Sequence, residues 1–499
     1  MKISFISHAT LCIEYRGKKL VTDPWVKGSA YCGQWHLFPK PLSPEKIQDA
    51  DFVFYSHGHE DHLHAESLNS MQKKAVVYYP YSWYGGTKEF FHALGFRQVQ
   101  EVLNEKTVYP AEDIKVTFLA NNLDNVMVFE LGDKVIVNIN DALPSASEAM
   151  INHMLQRIKS KWKKIDYLFS SYGGASYFPN TVHYAGKNEK DIAETRELFF
   201  LNNFCKIASS LQPAFAIPFA SDFVLLDHHQ RWINACKLPR SKLGDFFKSY
   251  LAQHHAGAVK TELIEIYPDD YFDGEGFHGV SPYHQKVAER ALLERVDEDY
   301  AAEIKAKKKA LKKDRLAVAK TFEAVKSHIL QKQYIIPPAI RSKIRFAIRF
   351  TDAAEHSELL VDFRQAQTQF ATAHEAFQDL DLRIDISAEA LLYSIENEWG
   401  GDALIIGYAA EIYLFNKEAV SREYENFCVR VLSRYPNTRE YLKKTPFRAL
   451  RYLFSDPVKR GNLLGKILHK PQSQLDYTDA RLNDRELWLN KDKCEVCKA

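Results

Sequence analysis

"DFVFYSHGHEDHLH", residues 51–64, joins an apolar run to a loop with four histidines and two acids within residues 55–64. The run DFVFYS is aromatic and β-branched, which predicts a strand. Beyond it stand His57 and His59, then Asp61 and His62. Alternate residues of extended chain share a face, so His57 and His59 project together if that geometry persists past the strand end. Asp61 and His62 lie beyond the bend and can face a second ion. Imidazole binds zinc, iron and other first-row ions, and carboxylates make a site harder. A lone loop histidine reads as a hydrogen-bonding residue. HxHxDH after an apolar strand predicts a pair of adjacent metals.

The flanking sequence is strand-rich. KISFISH, TLCIEYRG, KKLVTDPW, AVVYYP, VTFLANN, NVMVFEL and KVIVNIND are β-type runs within residues 1–140, and LGD reads as a hairpin turn between the last two. Helical patterns follow at about 143–163 and 189–211, then the strand AFAIPFA. Strands first, then strands mixed with helices, predict layered sheets flanked by helices. Residues 284–333 lack Gly and Pro and are rich in Ala, Glu, Lys and Leu, which predicts long helices with a solvated charged face. IIPP at 335–338 marks a boundary, and strands mix with helices beyond it. The expected division is 1–275, a metal-binding unit; 276–339, charged helices; and 340–499, a smaller α+β unit.

The 499 residues carry a formal net charge of +2, with 46% hydrophobic and 26% charged residues. That balance gives no field to draw the chain to nucleic acid or an anionic membrane. The Lys-rich stretch 305–313 reads as the wet face of a helix. The N-terminus lacks the apolar core of a signal peptide, and no apolar run approaches a membrane span. Seven scattered cysteines argue against a disulfide framework and for a reducing cytoplasm. Cys494 and Cys497 have ligand spacing, but one CxxC lacks the four ligands of a zinc site.

HGHEDH resembles the metal motif of the metallo-β-lactamase superfamily, and TDPW at 22–25 is similar to a strand end common there. The resemblance implies an α/β fold: an αββα sandwich with its metal site at the sheet edge, and Asp141 in KVIVNINDALP as the metal-bridging carboxylate. A narrower likeness lies in VTDPWVKGSAYCGQWHLFPKPL, SSYGGASYFPNTVHY and LQPAFAIPFASDFVLLDHHQRWI. These resemble the metallo-β-lactamase-like part of the CMP-N-acetylneuraminic acid hydroxylases, continuing weakly into LLVDF at 359–363 and GGDALIIGYAAEI at 400–412. No Rieske pair of Cys and His motifs is present in the chain.

Two histidines of that pattern are missing. Ala120, Asn121 and Asn122 occupy the place of the first, with Asp124 just beyond; Asp227 holds the place of the second, followed by His228 and His229. The ligand set implied is His57, His59, Asp61, His62, Asp124, Asp141, Asp227 and His228. Such a carboxylate-rich set suits iron or manganese better than zinc. The cofactor expected is two metal ions, iron favoured, zinc or manganese as alternatives. Asp61 and His183 are the catalytic candidates. His8 and His36 are read as groups that orient ligands, and Trp25, Tyr31 and Trp35 as pocket wall or core. Gly173 and Gly174 fit either a phosphate cradle or a tight turn.

Two functions follow. The resemblance implies an oxygenase that hydroxylates a small molecule, such as a nucleotide sugar or related amino-sugar conjugate, with electrons from a separate ferredoxin or Rieske protein. The alternative is a hydrolase of a lactone, amide or phosphoester that uses metal-activated water.

Overall fold

The computed structural model describes residues 1–82, 85–254, 259–288, 292–310, 315–353, 357–372, 379–435, 443, 445–455, 458, 460 and 476–489. Cys494, Cys497 and part of the Lys-rich stretch lie outside them.

Two sheets form the N-terminal sandwich. The first has eight strands, in spatial order Phe277–His278, Tyr271–Phe272, Lys2–Ser7, Thr10–Tyr15, Lys18–Thr22, Phe52–Phe54, Val76–Pro80 and Gln98–Val102. Its first half is antiparallel hairpins, and Lys18–Thr22 onward is parallel. The second has seven strands, ordered Glu262–Leu263, Phe215–Phe219, Tyr167–Ser171, Lys134–Asn140, Asp124–Leu131, Ile114–Asn121 and Thr107–Ala111. Helices Glu148–Lys161 and Glu189–Leu211 supply its parallel crossovers. A turn at Gly132 and Asp133 joins Leu131 to Lys134, with Gly132 at a φ of +63° that costs a glycine no clash.

The period of two along each strand sets the layers. Phe52 and Phe54 point inward to Phe118, Met127 and Phe129 of the other sheet, while Val53 between them joins Leu68 and Phe91 outside. On the second sheet Phe129 and Ile136 point inward, and Val128 and Val137 meet Met154 and Phe204 of the outer helices. Helices therefore cover both outer faces, which makes the αββα sandwich.

A six-stranded sheet forms the C-terminal core, ordered Val182–Tyr184, Ala410–Leu414, Leu382–Ile386, Arg345–Phe350, Glu358–Asp362 and Gln369–Ala371. Its edge strand comes from the N-terminal part of the chain. Val182, His183 and Tyr184 pair with Ile412, Tyr413 and Leu414. Tyr177, Phe178, Phe199 and Phe200 share its core. The chain's two halves thus interlock at this sheet rather than meeting only through a linker.

The charged segment buries a narrow stripe. Val296 of helix Leu292–Asp299, Ile304 of helix Ala301–Ala310 and Tyr300 at the junction between them pack on Phe38, Val224 and Leu226. Their spacing of four residues is that of one helix face. Phe322, Val325 and Ile329 of Arg315–Lys332 enter the C-terminal core. No helix among the described residues is long and apolar enough to cross a membrane.

Cys12, Cys205, Cys236 and Cys428 are buried thiols outside any disulfide. Burial pushes Cys12 and Cys236 up to about 11 and Cys205 up to about 12. The unfolded chain loses these protons near the ordinary thiol value while the folded chain keeps them. The unfolded state then binds fewer protons, so stability falls as pH rises through that window. The urea midpoint should therefore drop between about pH 8 and about pH 10. An unchanged midpoint would mean that these thiols titrate freely in the fold.

Candidate metal centre

The centre lies where strands of both sheets end. Lys18–Thr22, Phe52–Phe54 and Lys134–Asn140 each run into it and hand over to Asp23, the HGHEDH loop and Asp141. Several of these ends hold non-glycine residues in the left-handed region: His8 at φ +43°, Asp23 at +37°, Asn122 at +61° and Asn140 at +53°. Asp, Asn and His enter this region at less cost than most residues, and such strain concentrates at functional sites.

Three groups of ligand-capable atoms form there: His57, His59 and Asp124; His57, His62 and Asp141; and His8, Asp61 and His62, with the ligand atoms of each within 4.8 Å of one another. His57 Nε2 and His59 Nδ1 face each other at 2.8 Å. His57 Nε2 stands 3.8 Å from Asp124 and 3.9 Å from Asp141. His62 Nε2 stands 3.2 Å from Asp61 and 3.3 Å from Asp141, and its Nδ1 is 3.5 Å from Asp23. Both ring nitrogens of His62 are buried without a well-aligned hydrogen bond.

The electrostatics follow from burial and mutual charge. Burial holds His57 down to about 4, so its imidazole is neutral at neutral pH, the state a metal ligand requires. Burial alone would raise Asp61 and Asp141, but His62 beside them outweighs it and holds both below the usual carboxylate range. The same carboxylates hold His62 well above the usual imidazole value against its burial. Asp124 is pushed up to about 6 by burial.

A second layer fixes these groups. Asp23 is fully buried, accepts the Ser56 N–H at 2.7 Å through Oδ1, and accepts the Asn140 side-chain amide at 2.5 Å through Oδ2. Asp61 takes a hydrogen bond from the Tyr31 hydroxyl at 2.5 Å and pairs with His8 Nε2 at 2.9 Å. Asp124 reaches His57 and His59 because it pairs with Asn121 across a two-residue hairpin turn, one position beyond the Ala120↔Asn125 pair.

The other predicted residues sit elsewhere. Asp227 is outside the three groups, and its carboxylate accepts from Lys307 Nζ at 3.0 Å. His228 is exposed beside it. His183 lies in the edge strand of the C-terminal sheet, stacked on Tyr413 with ring centroids 4.5 Å apart, 3.3 Å from Glu189 and 3.6 Å from Glu411. His36 packs edge-on against Tyr300, and Trp25 and Trp35 are core residues. Gly174 is explained by packing, since a Cβ there would lie 2.0 Å from Phe200.

A cavity of about 1030 Å³ opens on the cluster, lined by Tyr55, His57, His59 and Asp124 from the sandwich and by Trp399, Asp402 and Tyr435 from the C-terminal part. Asp402 accepts a hydrogen bond from the Tyr435 hydroxyl. Gly400 and Gly401 let this helix approach: a Cβ would lie 2.2 Å from the Tyr393 carbonyl oxygen at Gly400 and 2.6 Å from Ser433 at Gly401. Asp23, the Tyr31 contact and Asp402 were not read as site features from the sequence. Only the GG pair before Asp402 gives a local signal of close approach.

The two-sheet sandwich with a histidine–aspartate cluster at its edge is a metallo-β-lactamase fold, and residues 2–142 match the Beta-lactamase superfamily domain model. Among curated relatives, the cytidine monophosphate-N-acetylneuraminic acid hydroxylase of Danio rerio is 24% identical over 249 residues, covering 46% of this chain and 40% of that protein. A protein described as a Rieske 2Fe-2S iron-sulfur protein, from Mycobacterium tuberculosis strain H37Rv, is 27% identical over 192 residues, covering 36% of each chain. The aligned parts thus span well under half of either relative's length. Among solved structures, the diiron β-hydroxylase CmlA of Streptomyces venezuelae superposes with a TM-score of 0.35 at 15% identity, covering 53% of this chain and 52% of that one. The isothiocyanate hydrolase from Delia radicum gut bacteria gives 0.36 at 18% identity, covering 55% and 98%. Superpositions this loose carry no functional argument.

Proposed function

We propose that the chain is an oxygenase holding two metal ions, iron in preference to zinc or manganese, and drawing electrons from a separate protein. The observation that carries this reading is the donor set: each of the three groups contains a carboxylate, Asp124, Asp141 or Asp61. Carboxylate with imidazole makes a harder site than the histidine-rich zinc sites of hydrolases. The residues fit such ions, because the two nitrogens of His62 are buried without a hydrogen bond and three carboxylates converge on them.

His57, His59 and Asp124 would hold one ion, Asp61 and His62 the other, with Asp141 between them. Iron bound there would activate O2 and pass on the two electrons that a monooxygenation takes from outside its substrate, drawn from the separate donor protein. His8 and Tyr31 hold Asp61 in place by hydrogen bonds to its two oxygens. Trp399 and Tyr435 line the cavity wall opposite the cluster's loop. The hydroxylase relatives favour a nucleotide-linked amino sugar as substrate, and the Rieske relatives favour an iron–sulfur protein as electron donor.

The superfamily domain match also favours a second reading, a hydrolase in which Asp61 orients a metal-activated water. Protein purified without chelators should carry iron rather than zinc. With CMP-N-acetylneuraminate as probe, hydroxylated product should form only with O2, a reductant and a ferredoxin-type donor. Repeated product release under strict anaerobiosis would replace the oxygenase with the hydrolase.

A further inference from the structure

A second cavity, of about 250 Å³, lies where the sandwich, the charged helices and the C-terminal sheet meet. It shares no lining residue with the cavity at the metal centre. Its C-terminal wall holds Asp352, Asp385, Glu389 and Glu411 and no basic residue. The bases on the remaining wall are already engaged. Lys307 Nζ donates to Asp227 at 3.0 Å and to the Gly33 carbonyl at 2.8 Å, and Arg231 pairs with Asp297. His228 and His229 are exposed beside them. Of the acids, Asp385 is met by Arg349 and Arg383.

Two acceptors of the lining are left over. Glu411 is 6% exposed; its Oε2 accepts from the Tyr413 hydroxyl at 3.0 Å, while its Oε1 is buried without a hydrogen bond. His183 Nε2 stands 3.6 Å from Oε2, too far to donate to it. Gln230 is 5% exposed and donates to the Tyr408 carbonyl, three residues before Glu411, but its Oε1 is also buried without a partner. Buried acceptors are costly to leave unmet, carboxylates most of all. A ligand that brings N–H donors and positive charge removes that cost.

Strand register spaces the acids. Asp385 pairs with Glu411 on the neighbouring strand, and Asp352 follows Arg345–Phe350 on the other side of Asp385. Neighbouring strands lie about 4.8 Å apart, so these carboxylates spread over about 10 Å. A metal ion, with ligand bonds of about 2–2.6 Å, cannot span them, and the acids of this cavity form no metal-type group among the described residues. An extended organic cation can. We propose that this cavity binds a small diamine, with one ammonium on Glu411 and Gln230 and the other toward Asp352. The inference is independent of the reaction performed at the metals.

The test is calorimetric titration of the metal-loaded full chain with putrescine at constant ionic strength, beside its neutral isostere 1,4-butanediol and calcium chloride. Putrescine is expected to bind saturably at one equivalent, and butanediol not at all. Glu411→Gln keeps an oxygen for the Tyr413 hydroxyl, and Asp352→Asn keeps one for the Ala388 N–H that Asp352 caps at 2.7 Å. Each variant should bind putrescine at least tenfold more weakly, since each loses a charged acceptor, with the metal content of the parent. Absence of saturable binding would overturn the proposal, as would equal binding of butanediol or undiminished binding by both variants. Calcium that displaces putrescine at one equivalent and is lost in both variants would reassign the cavity to a metal ion.

Discussion

Metal content in His57→Ala is expected to fall from about two ions per chain to well under one, since losing such a donor or its support costs about 10–100-fold or more in affinity. His57 belongs to two of the three groups, with His59 and Asp124 on one side and His62 and Asp141 on the other. Its removal therefore weakens both positions. Asp124→Ala should behave differently. Asp124 belongs only to the group with His57 and His59, so that variant should lose one ion and keep the other. Elemental analysis of the two variants beside the parent checks the contrast. Unchanged metal content in Asp124→Ala would remove Asp124 from the ligand set, and full metal in His57→Ala would remove the cluster itself as the metal site.

Asp23→Ala should destabilise the protein by about 2–5 kcal/mol, the cost of stranding buried partners of a carboxylate. The change would leave the Ser56 N–H and the Asn140 amide without their acceptor inside a fully buried site. The sandwich should show this as an earlier thermal transition. Asp23→Asn separates stability from metal binding. Its amide oxygen can still accept from Ser56. Asn140 Oδ1, buried without a partner, can turn to accept from the new amide. What the neutral amide cannot restore is the carboxylate 3.5 Å from His62 Nδ1. Asp23→Asn should thus keep most stability and still bind metal more weakly. A variant with unchanged metal affinity would reduce Asp23 to a purely structural role.

The sandwich was legible because its strands obey a strict period of two: Phe52, Val53 and Phe54 alternate between two cores just as the pattern requires. HGHEDH was legible because four candidate ligands are local in sequence. The remainder of the centre depends on long-range placement. Asp124 entered the reading only as a departure from a resembled pattern, and the hairpin register brings it to His57 and His59. The same reasoning assigned Asp227 and His228, but it could not see Lys307, which arrives from a helix far along the chain to pair with Asp227. Asp402 was invisible for a similar reason, since no local pattern connects residues 400–402 with a loop at 57–62. The charged segment was read by its wet face, and the stripe of Val296, Tyr300 and Ile304 was overlooked because three apolar positions are few among so many charges.

Val182–Tyr184 leaves the ribosome as a strand whose neighbour does not yet exist. Ile412, the partner of Val182, is roughly 230 residues further on, and at about 5–20 residues per second its synthesis takes roughly 10–50 s. During that interval the strand's backbone donors and acceptors are open to any passing chain. The sheet can close only once Ala410–Leu414, the last strand among the described residues, has been made.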